Sequence, residues 1–205
     1  MRNLFLASSL KDVVEDVAKH IPAGKRRLVL ITTAGEAKPE PHTWIDLAKK
    51  KLTENGFEVT DYTFTNHTAE DLSRDLASFD CICVEGGNTY YLLQQMQKSG
   101  AKDVIRDLVE NGRIYIGSSA GSIVTCPTIG WTGKPDDRDA ATELQNTEGL
   151  GLVPFLVLPH WGDERRNERH AAHNVPLLQK EKRPTILLDD SHYIHVEGDS
   201  FRILP

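Results

Sequence analysis

Short apolar runs alternate with longer amphipathic segments along this chain. "NLFLASS" (3–9) reads as a strand, and "LKDVVEDVAKHI" (10–21) as a helix, because Leu10, Val13, Val14, Val17 and Ile21 recur at helical spacing. "RLVLITT" (27–33) is the continuous apolar run of a strand buried on both faces. "HTWIDLAKKKLTENG" (42–56) predicts a helix with a glycine stop, and "FEVTDYTF" (57–64) a strand. "TAEDLSRDLASF" (68–79) opens on a capping pattern, Thr68 with Asp71 in place of Glu or Gln, and continues as a helix. "DCICVEGG" (80–87) is a strand ending in glycines; helices near 89–98 and 101–111 lead to the strand "RIYIG" (113–117).

Repeated strand–helix alternation predicts a parallel sheet covered on both faces, and the right-handed crossover rule makes it a doubly wound three-layer α/β/α sandwich. The pattern loosens after residue 125. "PTIGWTGKPDDRDAATELQNTEGLG" is rich in Gly, Pro and Asp and reads as a long loop, of the kind that carries function in compact domains. "LVPFLVLPHW" (152–161) predicts a strand with a polar end. "DERRNERHAAHNVPLLQK" begins as a helix, and "TILLDD", "HYIHVEG" and "SFRILP" predict closing strands in a hairpin meander. There is no internal repeat and no composition break, so residues 1–205 are read as a single domain.

Composition narrows the function classes. The chain has 205 residues, 39% of them hydrophobic and 26% charged, with a net charge of −6 and a mean hydropathy of −0.40. That is an ordinary globular balance. The acidic balance argues against nucleic acid as a partner. No stretch approaches the roughly 18 apolar residues of a membrane span. The apolar run in "MRNLFLASSL" is too short for a signal peptide, and Cys81, Cys83 and Cys126 are too sparse for a disulfide scaffold. These features point to a cytoplasmic protein. The cysteines and histidines do not fall at zinc spacing, so no metal or cofactor is expected; Cys81 and Cys83 read as core residues on one strand face.

The candidate chemistry lies at "YIGSSAGSIV" (115–124). Residues 117–121 match G-x-S-x-G, directly after a predicted strand and before an apolar stretch able to open a helix. In such an elbow the neighbours two residues either side must be small. The turn lifts the central hydroxyl, that of Ser119, over the carboxyl edge of the sheet, where open α/β sheets bind ligands. It also aims the N–H of Ala120 at the same place as an oxyanion donor. A tight turn without chemistry is the competing reading, and Ser118 and Ser122 are rival hydroxyls. A serine needs a base. His160 ends the run "FLVLP" and so emerges at a strand end; His170 and His173 lie on a polar helix and read as solvated. "VEGGNT" (84–89) is another strand end, able to present a second backbone N–H.

Three segments, "CVEGGNTYYLL", "YIGSSAGSIVTCPTI" and "LVLPHW", together resemble peptidase family S51. The resemblance implies a class I glutamine-amidotransferase-like (flavodoxin-like) fold with a serine at the elbow in place of cysteine. It implies Ser119 as nucleophile, His160 as general base, and Gly87 and Ala120 as oxyanion donors, with Gly86 the alternative to Gly87. It implies Gly86, Asn88 and Arg138 as substrate-binding residues. The third triad member of the family is an acid about fifteen positions after the serine, which slips here to Asp136 or Asp137, with Asp139 and Glu143 behind. The implied activity is that of a serine exopeptidase on short peptides, among them dipeptides beginning with aspartate. Arg138, Arg165, Arg166 and Arg169 are cations available to such a side chain, although "DERRNER" also reads as a salt-laced surface. The chain would act as monomer or homodimer. An esterase or amidase of similar logic, or a non-catalytic binding member, is the alternative.

Overall fold

The computed structural model describes residues 2–38, 40–132 and 138–205. Its central sheet has seven strands among the described residues: β1 (Asn3–Ala7), β2 (Arg27–Ile31), β3 (Glu58–Tyr62), β4 (Cys81–Val84), β5 (Ile114–Ser118), β8 (Tyr193–Glu197) and β9 (Ser200–Leu204). They lie in the order β3-β2-β4-β5-β1-β8-β9. The first five are parallel; β8 joins β1 antiparallel and pairs with β9 as a hairpin.

Alternation along these strands builds two apolar layers. Leu4, Leu6, Val29, Ile31, Ile82 and Val84 face one side, where α3 (Ala69–Leu76), α4 (Thr89–Ser99) and α5 (Ala101–Glu110) cover them. Phe5, Leu28, Leu30, Cys81, Cys83 and Ile116 face the other, against α1 (Leu10–Lys19) and α2 (Thr43–Glu54). The result is the expected three-layer sandwich. Helix α3 starts on its capping box: Thr68 Oγ1 accepts the Asp71 N–H at 3.2 Å and Asp71 Oδ2 accepts the Thr68 N–H at 3.1 Å. Such a cap stabilises by about 1 kcal/mol.

The C-terminal third departs from the sequence expectation. β6 (Leu156–Pro159) lies outside the central sheet and pairs parallel with β7 (Thr185–Leu188), so β7 is not part of a closing meander. The buried β6 satisfies its N–H and C=O groups on β7, while β5 and β8 occupy both edges of β1. Between them run α7 (Glu164–Arg169), a π-helical segment over His170–Asn174 and α8 (Val175–Leu178). β6 packs on α6 (Ala120–Ile123), the short helix that follows β5. That contact brings the end of β6 to the carboxyl edge of the central sheet. Among the described residues no helix is long and apolar enough to cross a membrane.

Candidate active site

The ends of β1, β4, β5, β6 and β7 converge on a cavity of about 340 Å³. Ser119, the residue before α6, has φ 50° and ψ −105°, a strained turn between strand and helix. The turn closes only with glycine at position 121, because a Cβ there would lie 1.9 Å from the Val84 carbonyl oxygen. Ser119 is half-buried and its Oγ lies 2.8 Å from His160 Nε2. The rival hydroxyls are tied down: Ser122 Oγ donates to Ala7 O at 2.7 Å, and Ser118 Oγ accepts the Leu10 N–H at 3.2 Å.

His160 is held on every polar atom. Its Nδ1 lies 2.6 Å from Asp190 Oδ1, its N–H donates to Ser8 Oγ at 2.7 Å, and its carbonyl faces His170 Nε2 at 3.3 Å. Ser8, fully buried after β1, donates in turn to Asp190 Oδ1 at 2.6 Å. Ser119, His160, Asp190 and Ser8 thus form one hydrogen-bonded chain. Burial, partly offset by Asp190, pushes the imidazole below its usual 6.5, so it is neutral and able to accept a proton at neutral pH. Burial pushes the Asp190 carboxyl up, but hydrogen bonds from His160 and Ser8 and the charge of Arg166 outweigh it and hold the group at about 2.

The backbone donors are sorted by the loop after β4. The Gly86 N–H is taken by Glu85 Oε2 at 2.8 Å. The N–H groups of Gly87 and Ala120 donate to no acceptor among the described residues. Gly87 packs so closely on the chain that a Cβ would sit 2.0 Å from Ala34 O. Asn88 lines the cavity, with its Oδ1 capping α4 through the Tyr91 N–H at 3.0 Å.

Other expected residues fall elsewhere. Arg138 is exposed and absent from the cavity wall; its guanidinium stacks 4.8 Å over the Tyr90 ring and donates to the Tyr90 hydroxyl at 3.3 Å. Asp136 and Asp137 lie outside the described residues. Glu143 pairs with Lys98 at 2.9 Å, away from His160. His170 is only 2% exposed, not solvated, because the π-helical segment turns it inward beneath His160. Arg165, Arg166 and Arg169 line the cavity. Arg165 and Arg166 share one carboxylate, Asp163, while Arg169 Nε is buried without a hydrogen-bond partner among the described residues. No cluster able to hold a metal occurs among the described residues.

Asp190 and Ser8 were legible by the signal that found His160, a polar residue closing an apolar run: "TILLDD" and "NLFLASS" both carry it. The family's spacing drew attention to the loop after the serine instead.

Comparison with known proteins settles the class. The family profile described as peptidase family S51 matches residues 4–204. The chain belongs to peptidase family S51. Membership makes it a serine-type peptidase. It is 32% identical to an uncharacterized peptidase of Listeria innocua over 163 residues, 80% of this chain and 78% of that protein. It is 33% identical to peptidase E of Shigella flexneri over 141 residues, 67% of this chain and 56% of that protein. The crystal structure of a provisional peptidase E protein from Listeria monocytogenes EGD-e superposes with a TM-score of 0.89 at 29% identity, covering 100% of this chain and 98% of that one. A peptidase from an acI-B1 Actinobacterium shares the fold, with a TM-score of 0.70 at 16% identity.

Proposed function

We propose that this S51 member is a serine exopeptidase of short peptides in which Ser119 is the nucleophile, His160 the general base and Asp190 the acid. The observation that carries this reading is the unbroken contact from Ser119 Oγ to His160 Nε2 at 2.8 Å and from His160 Nδ1 to Asp190 at 2.6 Å. Asp190 takes the role first expected of Asp136 or Asp137.

Ser119 Oγ attacks the scissile carbonyl as its proton passes to His160 Nε2. Asp190 fixes the tautomer that leaves Nε2 free and stabilises the imidazolium that forms. Negative charge on the carbonyl oxygen is met by the Gly87 and Ala120 N–H groups, a pair of donors each worth about 3–4 kcal/mol in the transition state of comparable hydrolases. His160 then hands its proton to the leaving amine, and water activated by the same imidazole clears the acyl-enzyme.

A cavity of about 340 Å³ is at the small end of ligand sites, which suits a short peptide. Arg166 and Arg169 supply more positive charge to it than Asp163 balances, which suits a substrate carboxylate such as an N-terminal aspartate side chain. A panel of Asp-X and Ala-X dipeptides, N-blocked peptides and p-nitrophenyl esters tests the assignment. Cleavage of free dipeptides with preference for Asp-X is expected. Hydrolysis of the esters alone would replace the exopeptidase by an esterase.

A further inference from the structure

One buried carboxyl at the cavity takes no part in the chain from Ser119 to Ser8. Glu85 follows β4, is 2% exposed and lines the cavity. Its Oε2 accepts the Gly86 N–H at 2.8 Å, while its enclosed Oε1 has no hydrogen-bond partner among the described residues. An anion with one oxygen orphaned in a buried site costs far more than the neutral acid. Burial accordingly pushes the carboxyl up to about 7, against the pull of the Gly86 N–H, the Ser118 hydroxyl and the Lys11 ammonium. Among the described residues, the charged or titratable groups facing it are Lys11 on α1 and Cys83 on β4, whose own thiol burial keeps neutral.

The group that Glu85 holds is placed to matter. Gly86 sits against the nucleophile: a Cβ on it would lie 3.0 Å from Ser119 Cβ. Its N–H is held by Glu85 and its C=O accepts Trp44 Nε1–H at 3.2 Å. The Gly86 C=O and the Gly87 N–H belong to one planar trans peptide, so fixing the carbonyl toward Trp44 turns the Gly87 N–H the opposite way. Both ends of Gly86 are therefore clamped, and Gly87 is left as the free donor.

We propose that Glu85 is a positioning residue which, as the neutral acid and together with Trp44, clamps Gly86 so that the Gly87 N–H meets the developing oxyanion. The inference rests on the hydrolase reading above and adds to it the choice of donor and its control. An ionised carboxylate two residues from the Gly87 donor would oppose the charge growing on the substrate oxygen, so the neutral form is the working one. Activity then falls as pH rises through about 7, where Glu85 ionises.

The test compares wild type with Glu85→Gln, Glu85→Ala and Trp44→Phe. The readouts are kcat and KM on an Asp-X dipeptide, the rate at which a serine-reactive phosphonate labels Ser119, and the ¹³C titration of the Glu85 carboxyl. Glu85→Ala and Trp44→Phe are expected to lower kcat about ten- to a hundredfold with KM little changed. Glu85→Gln, whose amide oxygen can still accept the Gly86 N–H, recovers most of that loss and no longer slows above about pH 7. The carboxyl resonance absent from Glu85→Gln titrates near 7. A midpoint at the ordinary 4.5, or an unchanged alkaline fall in Glu85→Gln, overturns the proposal. A wild type that neither cleaves peptides nor takes the phosphonate overturns the hydrolase reading instead, and the carboxyl midpoint then decides the neutral clamp by itself.

Discussion

Ser119 and His160, whose side chains meet at 2.8 Å, both have a positive φ, 50° and 60°. Residues with a Cβ seldom occupy that region, at a cost of about 1–3 kcal/mol each. Each follows directly on a strand, and the positive φ turns the main chain away while leaving the side chain over the edge of the sheet. The strain is the cost of bringing hydroxyl and imidazole face to face.

Relieving that strain should raise stability and end catalysis. Ser119→Gly is expected to raise the urea midpoint, by about 1 kcal/mol of stability, and to lower kcat by more than about 10⁴-fold. Ser119→Ala should lose the same activity without the gain in stability. A Ser119→Gly protein less stable than Ser119→Ala would show that the elbow is not strained.

The Asp190 carboxylate should matter through charge as well as shape. Asp190→Asn preserves the outline but lets an amide face Nδ1, which favours the wrong imidazole tautomer; kcat should fall by roughly 10³–10⁴-fold. Ser8→Ala removes one donor to Asp190 and the acceptor of the His160 N–H, and a smaller loss, about tenfold in kcat, is expected. Steady-state kinetics on one dipeptide reads both. A near-normal Asp190→Asn would move the acid's role to another carboxylate.

The acid limb of kcat/KM should lie below pH 6.5. Burial lowers the His160 value, so the neutral base persists further into acid than a free imidazole would. The same shift acts on folding. A buried imidazole with a lowered value contributes stability above its unfolded value, and that stability is lost as pH falls through the folded one. A midpoint above 6.5 in the kcat/KM profile would contradict the burial of the ring.

Arg166 should set the preference for an acidic substrate. Its loss to Ala removes a charge-assisted hydrogen bond worth about 1.5–3 kcal/mol, so kcat/KM for Asp-X should drop about ten- to a hundredfold while Ala-X changes little. Arg138, stacked on Tyr90 away from the cavity, serves as the control: Arg138→Ala should leave the Asp-X to Ala-X ratio unaltered. Equal losses on both substrates in Arg166→Ala would assign it a structural role.

Gly121 should tolerate no side chain. A Cβ would sit 1.9 Å from the Val84 carbonyl, so α6 and β4 would have to part. Gly121→Ala is expected to destabilise by about 3 kcal/mol or more, read by urea unfolding.

Local pattern by itself determined the sandwich. Apolar runs bounded by turn residues marked the strands, 3.6-residue spacing marked the helices, and their alternation implied a parallel sheet with two covered faces. It also determined the elbow, because only small residues fit at a strand–helix turn of that sharpness and the glycines are written in the chain. What the tertiary structure alone decided was which strand ends meet. Ser8 and His160 are 152 positions apart, and His160 and Asp190 are 30 apart. Their contact depends on β6 lying outside the main sheet and pairing with β7, while β5 and β8 flank β1. Periodicity records what a segment does with its own neighbours. It carries no trace of which distant strands pair, and the pairing of β6 with β7 put Asp190 behind the imidazole.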